Sequence, residues 1–456
     1  MKDQRQTPLL DALKEHIQAE KWSFHTPGHK GGRGAWVPFR DMLGGDVFRY
    51  DLTETGRLDD LAMPTGVIAQ AEELAADLYG ARRTFFLVQG STVGVQAMLM
   101  AASSPGGRIL LDRSIHRSAV AGLILSGARP VFIGAGRPID AGTIDQELSG
   151  EPVQALFLVR PDYRGRCIEL KEIARTCREH GTLLLVDEAH GPHLRFHPLL
   201  PESAVEWADV VVQSPHKLAG SLTQSAWLHV IRDEKLAERV GRALYVLQTS
   251  SPSYLLLASL DAARAQLATE GRKLLDMAIS KSQEMRRAVE RVPGFSCLQD
   301  GHFDPLKIVI LTQECTGYQL AEAMQERGIY PESAQDDLVV LNVTWGDSGF
   351  DVGELEEALR NAPGSGCPRV IQMPCPAVAM TPREAFFSSH ELCDLHNAPG
   401  RVAADVVTPY PPGIPALVPG EIIDREMVEY IAYISGSGHR VEGLIGGRLR
   451  VVIDRG

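Results

Sequence analysis

Residues 182–191 read TLLLVDEAHG, an apolar run from Thr182 to Val186 followed by Asp187, Glu188, Ala189, His190 and Gly191. An unbroken apolar run of this length is the pattern of a strand covered on both faces. A carboxylate at the carboxyl end of such a strand is costly to bury unless a cation or hydrogen-bond donors face it. A protonated ring nitrogen would be one such partner, and a metal ion another. A helicase-like reading of D-E-A-H is disfavoured, because no G-x-x-x-x-G-K-[ST] loop precedes it.

Outward from this strand the same pattern repeats. Further strands are predicted over Thr84–Gln89, Arg108–Asp112, Pro130–Gly134, Ala155–Arg160, Asp209–Ser214 and Ala226–Ile231, with amphipathic helices such as Leu170–His180 between them. The alternation predicts an α/β fold with a mostly parallel sheet. Helices follow over Glu234–Gln248 and Ser253–Arg291, the second expected to be interrupted. After Pro293-Gly294 comes a smaller α+β unit, with strands at Lys307–Thr312 and Leu338–Thr344 and helices at Tyr318–Gly328 and Asp351–Asn361. The expected domains are an N-terminal arm over 1–50, a large domain over 51–292 and a small domain over 293–456, with a possible subdivision near 362–370.

The 456 residues carry 46 basic and 58 acidic side chains, a formal net charge of −12, and have no long Lys/Arg run, which disfavours nucleic acid as a partner. Nothing approaches 18 consecutive apolar residues and the N-terminus lacks a signal-peptide core, so neither membrane contact nor export is expected. The seven cysteines are scattered without a C-x-x-C pair. Reduced thiols in a cytoplasmic protein, with no metal site, are the expectation.

In an open α/β sheet, ligands sit beyond the carboxyl ends of the strands, and four polar clusters stand there. Gln89-Gly90-Ser91-Thr92 joins a strand to a helix and offers hydroxyls and free N–H groups for a phosphate, or an ordinary helix cap. Asp112–Ser118 places His116 where it would stack on a planar ligand, or cap a helix. Asp187–Gly191 supplies the acid. Ser214-Pro215-His216-Lys217 puts a lysine at a strand end, where a desolvated amine becomes nucleophilic toward an aldehyde and forms a Schiff base.

Together these are the parts of a pyridoxal-phosphate site. At these positions, and in HTPGHKGG (25–32), SPHK (214–217) with LTQ (222–224) and PYPPGIPALVPGE (409–421), the chain resembles the Orn/Lys/Arg decarboxylase family. That resemblance implies a fold-type-I, aspartate-aminotransferase-like large domain and a pyridoxal 5'-phosphate cofactor. It implies that Lys217 forms the Schiff base, that Asp187 pairs with the pyridine nitrogen, and that His116 and Ala189 pack on the two ring faces. Ser91, Thr92, Ser214 and His216 would hold the phosphate, with His190 near the ring hydroxyl. Ser250, within Thr249–Pro252, would reach the neighbouring subunit's phosphate, which implies a homodimer or higher oligomer with shared sites. Glu421 would lie near the substrate's distal cationic end.

The reaction expected is decarboxylation of arginine, lysine or ornithine to the amine, as in polyamine biosynthesis. Transamination, aldol cleavage or oxidative decarboxylation on the same scaffold is the second reading, and a non-catalytic relative the third. The sequence departs from the family pattern at Pro161-Asp162-Tyr163-Arg164-Gly165, where Pro-Thr-Tyr-x-Gly is usual. Asp162 and Arg164 are therefore expected either to pair with each other or to alter substrate choice. At 456 residues the chain resembles the family's short form, so the wing domain of the large decarboxylases is not expected.

Overall fold

The computed structural model describes residues 2–56, 58–133, 138–298, 302–364, 366, 372–410, 413–436 and 440–453. Arg57, Gly134, most of 365–371 including Cys367, and the Pro411-Pro412 pair of PYPPGIP lie outside the described residues. The chain divides into two compact units. One gathers Met1–Ala101, Val186–Pro198 and Glu202–Arg272; the other gathers Ala102–Leu185, Leu199–Pro201 and Lys273–Gly456.

The seven apolar runs form one sheet: β1 (Arg83–Leu87), β2 (Arg108–Leu111), β3 (Arg129–Phe132), β4 (Val153–Val159), β5 (Leu183–Asp187), β6 (Val210–Gln213) and β7 (Ala226–Val230), in the order β1-β7-β6-β5-β4-β2-β3. β2 pairs in parallel with β3 and β4, while β7 runs antiparallel to both β1 and β6. β1 and β6 therefore point the same way, and the polar clusters that follow them emerge on one edge. β4 to β7 are buried almost throughout, as their unbroken apolar sequences require.

Helix Gly90–Ala102 lies close against this sheet because Gly94 has no side chain. A Cβ there would stand 2.7 Å from Val212 Cγ2 and 2.8 Å from Leu87 Cδ1. Gly94→Ala is expected to lower stability by about 1–3 kcal/mol through overpacking. A denaturant midpoint equal to the wild type would refute that close approach.

The predicted interruption of the long helix is absent. Tyr254–Glu290 is one continuous helix of 37 residues. It contains no proline, and its single glycine, Gly271, costs only about 1 kcal/mol in a helix. Buried Leu257, Leu260, Leu267, Leu275 and Ile279 hold it in place. In the first unit, the fully buried Asp261–Arg264 pair ties down the chain's start: Asp261 accepts from Leu9 N–H at 3.0 Å, and Arg264 donates to Gln4 O at 2.6 Å.

The second unit carries the smaller α+β module. Its sheet joins β8 (Phe295–Cys297), β9 (Lys307–Thr312), β10 (Ser333–Ala334) and β11 (Leu338–Asn342), antiparallel in the order β10-β11-β9-β8. Helices Gly317–Glu326 and Val352–Asn361 bury Leu320, Met324, Leu355 and Leu359 with Ile308, Ile310 and Val339 of this sheet. A separate apolar cluster, including Val407, Leu417, Met427, Ile431 and Val451, organises the C-terminal residues. Among the described residues no helix is long and apolar enough to cross a membrane.

Candidate active site

Within the first unit, the ends of β5 and β6 bring the acid and the amine clusters together. Ser214 N–H donates to Ala189 O at 3.3 Å, and Glu188 N–H donates to Val212 O at 2.9 Å. Pro215–Leu218 forms one helical turn, with proline at its first position where no N–H is needed. That turn aims Lys217 back over β5, where its Nζ lies 3.0 Å from His190 Nε2. Asp187 is buried and accepts from Ala189 N–H at 3.0 Å. Burial pushes its carboxyl above the ordinary range, against the opposing charge of Lys217. Ser214 is fully buried, and among the described residues its Oγ has no hydrogen-bond partner. His216 is half-buried and its Nδ1 lies 2.7 Å from Ser225 O.

The turn after β1 completes this edge. Gly90 takes φ +74°, a left-handed conformation suited to glycine, and donates its N–H to Gln224 O at 2.6 Å. Ser91 and Thr92 follow in the first turn of the helix, where N–H groups have no intrahelical acceptor. Gln224, in LTQ, is itself at φ +78°, uncommon for a residue with a side chain. Its carbonyl holds the Gly90 turn, a role that spacing did not reveal and that only the LTQ motif marked. Thr249 N–H donates to Gln89 Oε1 at 2.7 Å, so Thr249–Pro252 lies against this turn in its own chain, with Ser250 exposed.

The remaining predicted residues belong to the second unit. His116 caps helix Arg117–Ser126, its Nδ1 accepting from Ser118 N–H at 3.2 Å, and a Cβ on Gly413 would stand 3.3 Å from its Cδ2. Gly413 sits at φ +91° and, having no side chain, passes flush against the imidazole edge. Asp162 Oδ1 accepts the backbone N–H groups of Arg164 (2.9 Å) and Arg166 (2.8 Å), which closes the turn, and Arg164 donates to Gln335 Oε1 at 3.0 Å. The departure from the family pattern is thus engaged in building the loop.

Glu421 is fully buried. Its Oε2 accepts from Val418 N–H at 2.7 Å and from Arg113 Nη2 at 3.2 Å, and the Arg113 guanidinium also covers the Phe132 ring. Among the described residues Glu421 Oε1 has no hydrogen-bond partner. Burial outweighs Arg113 and raises the carboxyl to about 7. Between about pH 4.5 and 7 the folded chain therefore holds a proton here that the unfolded chain has lost. Stability falls as pH rises through that window, by roughly 3 kcal/mol from this group. Urea midpoints at the two ends of the window should fall less in Glu421→Gln than in the wild type; an equal fall would refute the assignment.

One buried network was not read from the sequence. Glu188 accepts from Ser203 Oγ (2.6 Å), Ala204 N–H (2.6 Å) and Gln213 Nε2 (2.7 Å). Gln213 Oε1 meets His229 Nε2 at 3.2 Å, and His229 Nδ1 meets Thr84 Oγ1 at 2.8 Å. Burial drives His229 down to about 3, so it is neutral. Asp187 and Glu188 are adjacent in sequence, yet one sits beside Lys217 and the other anchors the scaffold.

Comparison with known proteins identifies the family. Orn/Lys/Arg decarboxylase, major domain, matches residues 7–319, and the C-terminal domain of the same family matches residues 369–444. The chain belongs to the Orn/Lys/Arg decarboxylase family. Arginine decarboxylases of Bacillus anthracis and Bacillus subtilis are each 36% identical to it, over 96% of this chain and 95% and 96% of theirs. Among solved structures, the constitutive lysine decarboxylase of E. coli aligns with a TM-score of 0.84 at 21% identity, covering 99% of this chain and 82% of that one, a likeness of fold. The decarboxylase family expected from HTPGHKGG, SPHK and PYPPGIPALVPGE is the family found, and the chain is an enzyme of that decarboxylase type.

Proposed function

We propose that this chain is a pyridoxal-phosphate-dependent arginine decarboxylase, acting as a cytoplasmic homodimer in polyamine formation. The observation that carries the reading is the Lys217–His190 contact beside buried Asp187, at the edge where Gly90-Ser91-Thr92 opens a helix. Arginine is favoured over lysine and ornithine because the relatives at 36% identity are named arginine decarboxylases.

The residues present fit the cofactor. Ser214 Oγ is a buried donor without a partner among the described residues, and the N–H groups at Ser91 and Thr92 suit a phosphate. Asp187 is a buried carboxyl whose charge is restored by a facing cation, as a protonated pyridine nitrogen is. Lys217 offers the primary amine that would hold the aldehyde carbon. When bound, pyridoxal phosphate supplies a ring that accepts the electron pair released as the bond from Cα to the carboxylate breaks.

The chain's own residues do the rest. Asp187 would hold the ring proton in place and stabilise the charge there. Lys217, whose Nζ lies 3.0 Å from His190 Nε2, would hold and exchange a proton there. Ala189, packed at the end of β5, would present a small apolar surface to one ring face, and by the family resemblance His116 would cover the other. His216, fixed through Ser225 O, would turn its other ring nitrogen to the phosphate. Glu421 already faces Arg113, so any role toward the substrate guanidinium would be shared with that pair. Asp162 and Arg164 would act on substrate choice through the shape of their loop.

The dimer is supported by a set of exposed apolar side chains near the N-terminus. Trp22, Phe24, Trp36, Phe39 and Met42 are all at least 46% exposed, which a solitary chain seldom tolerates. By the resemblance, Ser250 would then serve the partner's phosphate. The test is to supply the cofactor-loaded protein with arginine, lysine and ornithine separately and to identify products by mass spectrometry. Agmatine and CO2 from arginine are expected. Cadaverine or putrescine as the main product would change the substrate, and a keto acid would overturn the reaction.

A further inference from the structure

In the first unit, helix Pro8–Ala19 ends with His16 in its last turn, and Glu20 caps it by donating its N–H to His16 O at 2.9 Å. The spacing of four places both side chains on one face. After four more residues the chain returns, and His25 joins them. His16 Nε2 lies 2.9 Å and His25 Nε2 3.4 Å from the same atom, Glu20 Oε2, and the three ligand atoms all lie within 4.8 Å of one another. All three side chains are half-buried.

The geometry of the cluster admits a metal ion as well as a salt bridge. His25 Nδ1 is 2.6 Å from Thr26 O, a carbonyl that can only accept, so Nδ1 carries the ring proton. In the neutral ring Nε2 then presents a lone pair to a carboxylate oxygen that also presents one. A proton or a metal ion can satisfy two acceptors aimed at each other, and the position of the third ligand atom suits the metal. A backbone carbonyl fixing the distal ring nitrogen is also the usual outer partner of a metal-ligating histidine. The two distances to Glu20 Oε2 bracket the roughly 3.3 Å that separates ligands set at about 2.0–2.1 Å around tetrahedral zinc.

We propose that His16, Glu20 and His25 form a site for a divalent transition-metal ion, zinc by ligand type, with two Nε2 atoms and one carboxylate oxygen from the protein and water in the fourth position. The ion would join the end of the first helix to the start of HTPGHKGG, and so fix the presentation of Trp22 and Phe24, which are 73% and 94% exposed between the ligands. Asp261 and Arg264 already hold the preceding segment, so the ligand helix is anchored at its other end. This site stands apart from the Lys217 cluster in chemistry, and the inference is independent of the substrate assignment.

The test uses the full-length, cofactor-loaded protein, stripped of metal by chelator and titrated with zinc chloride by calorimetry near neutral pH, with bound zinc counted after gel filtration. One ion per chain with micromolar or tighter affinity is expected. His16→Ala, Glu20→Gln and His25→Ala should each weaken binding by at least about 100-fold, with wild-type far-ultraviolet circular dichroism. Absence of saturable binding below millimolar zinc would overturn the proposal. So would binding that survives all three substitutions, since the ion would then be held elsewhere.

Discussion

Lys217→Ala is expected to lower the rate of CO2 release from arginine by at least about 1,000-fold. The lysine stands at the carboxyl end of β6 on a single helical turn, its amine 3.0 Å from His190 Nε2. Alanine removes the amine proposed as the nucleophile and leaves the helical turn, with its proline at the first position, in place. Lys217→Arg should be nearly as inactive: it keeps the charge but offers a guanidinium that does not deprotonate. Borohydride reduction followed by peptide mass spectrometry gives an independent readout. The cofactor should remain on the peptide containing Lys217 in the wild type and be absent from both variants. Cofactor retained on another lysine, with activity within tenfold of wild type, would overturn the assignment.

The second large effect is at Asp187. Asp187→Asn keeps the shape and can still accept from Ala189 N–H, the hydrogen bond seen at 3.0 Å. What it removes is the charge proposed to face the ring nitrogen, and kcat for CO2 release should drop by at least about 100-fold. Stability should move the other way. Burial raises this carboxyl because ionising it in the interior is costly, so the cofactor-free variant should unfold at the same or higher urea than the wild type. A variant that lost activity and stability together would place Asp187 in the scaffold.

The strands and their ends were legible in the sequence for a single physical reason. Apolar runs of four to seven residues ending in polar clusters leave few alternatives to a covered parallel sheet, and the ends of such strands are where ligands bind. Asp187, Lys217, Ser91 and Ser214 were legible on that basis before any geometry. The continuity of helix Tyr254–Glu290 was not, because a glycine within a helix breaks it or not according to packing elsewhere. The engagements of Glu421 with Arg113 and of Asp162 with the backbone of its own loop were also invisible. They join residues 308 and 2 to 4 positions apart through contacts that no local pattern encodes.

The clamp formed by Glu188 also bears on how variants of this enzyme would be ranked. Glu188 ties Ser203, Ala204 and Gln213 in a site from which water is excluded, and Gln213 passes the contact on to His229 and Thr84. A saturation screen scored on turnover alone would place codons 187 and 188 side by side as intolerant. The first would be depleted for chemistry and the second for yield of folded protein, a distinction that a parallel count of soluble protein per cell would recover.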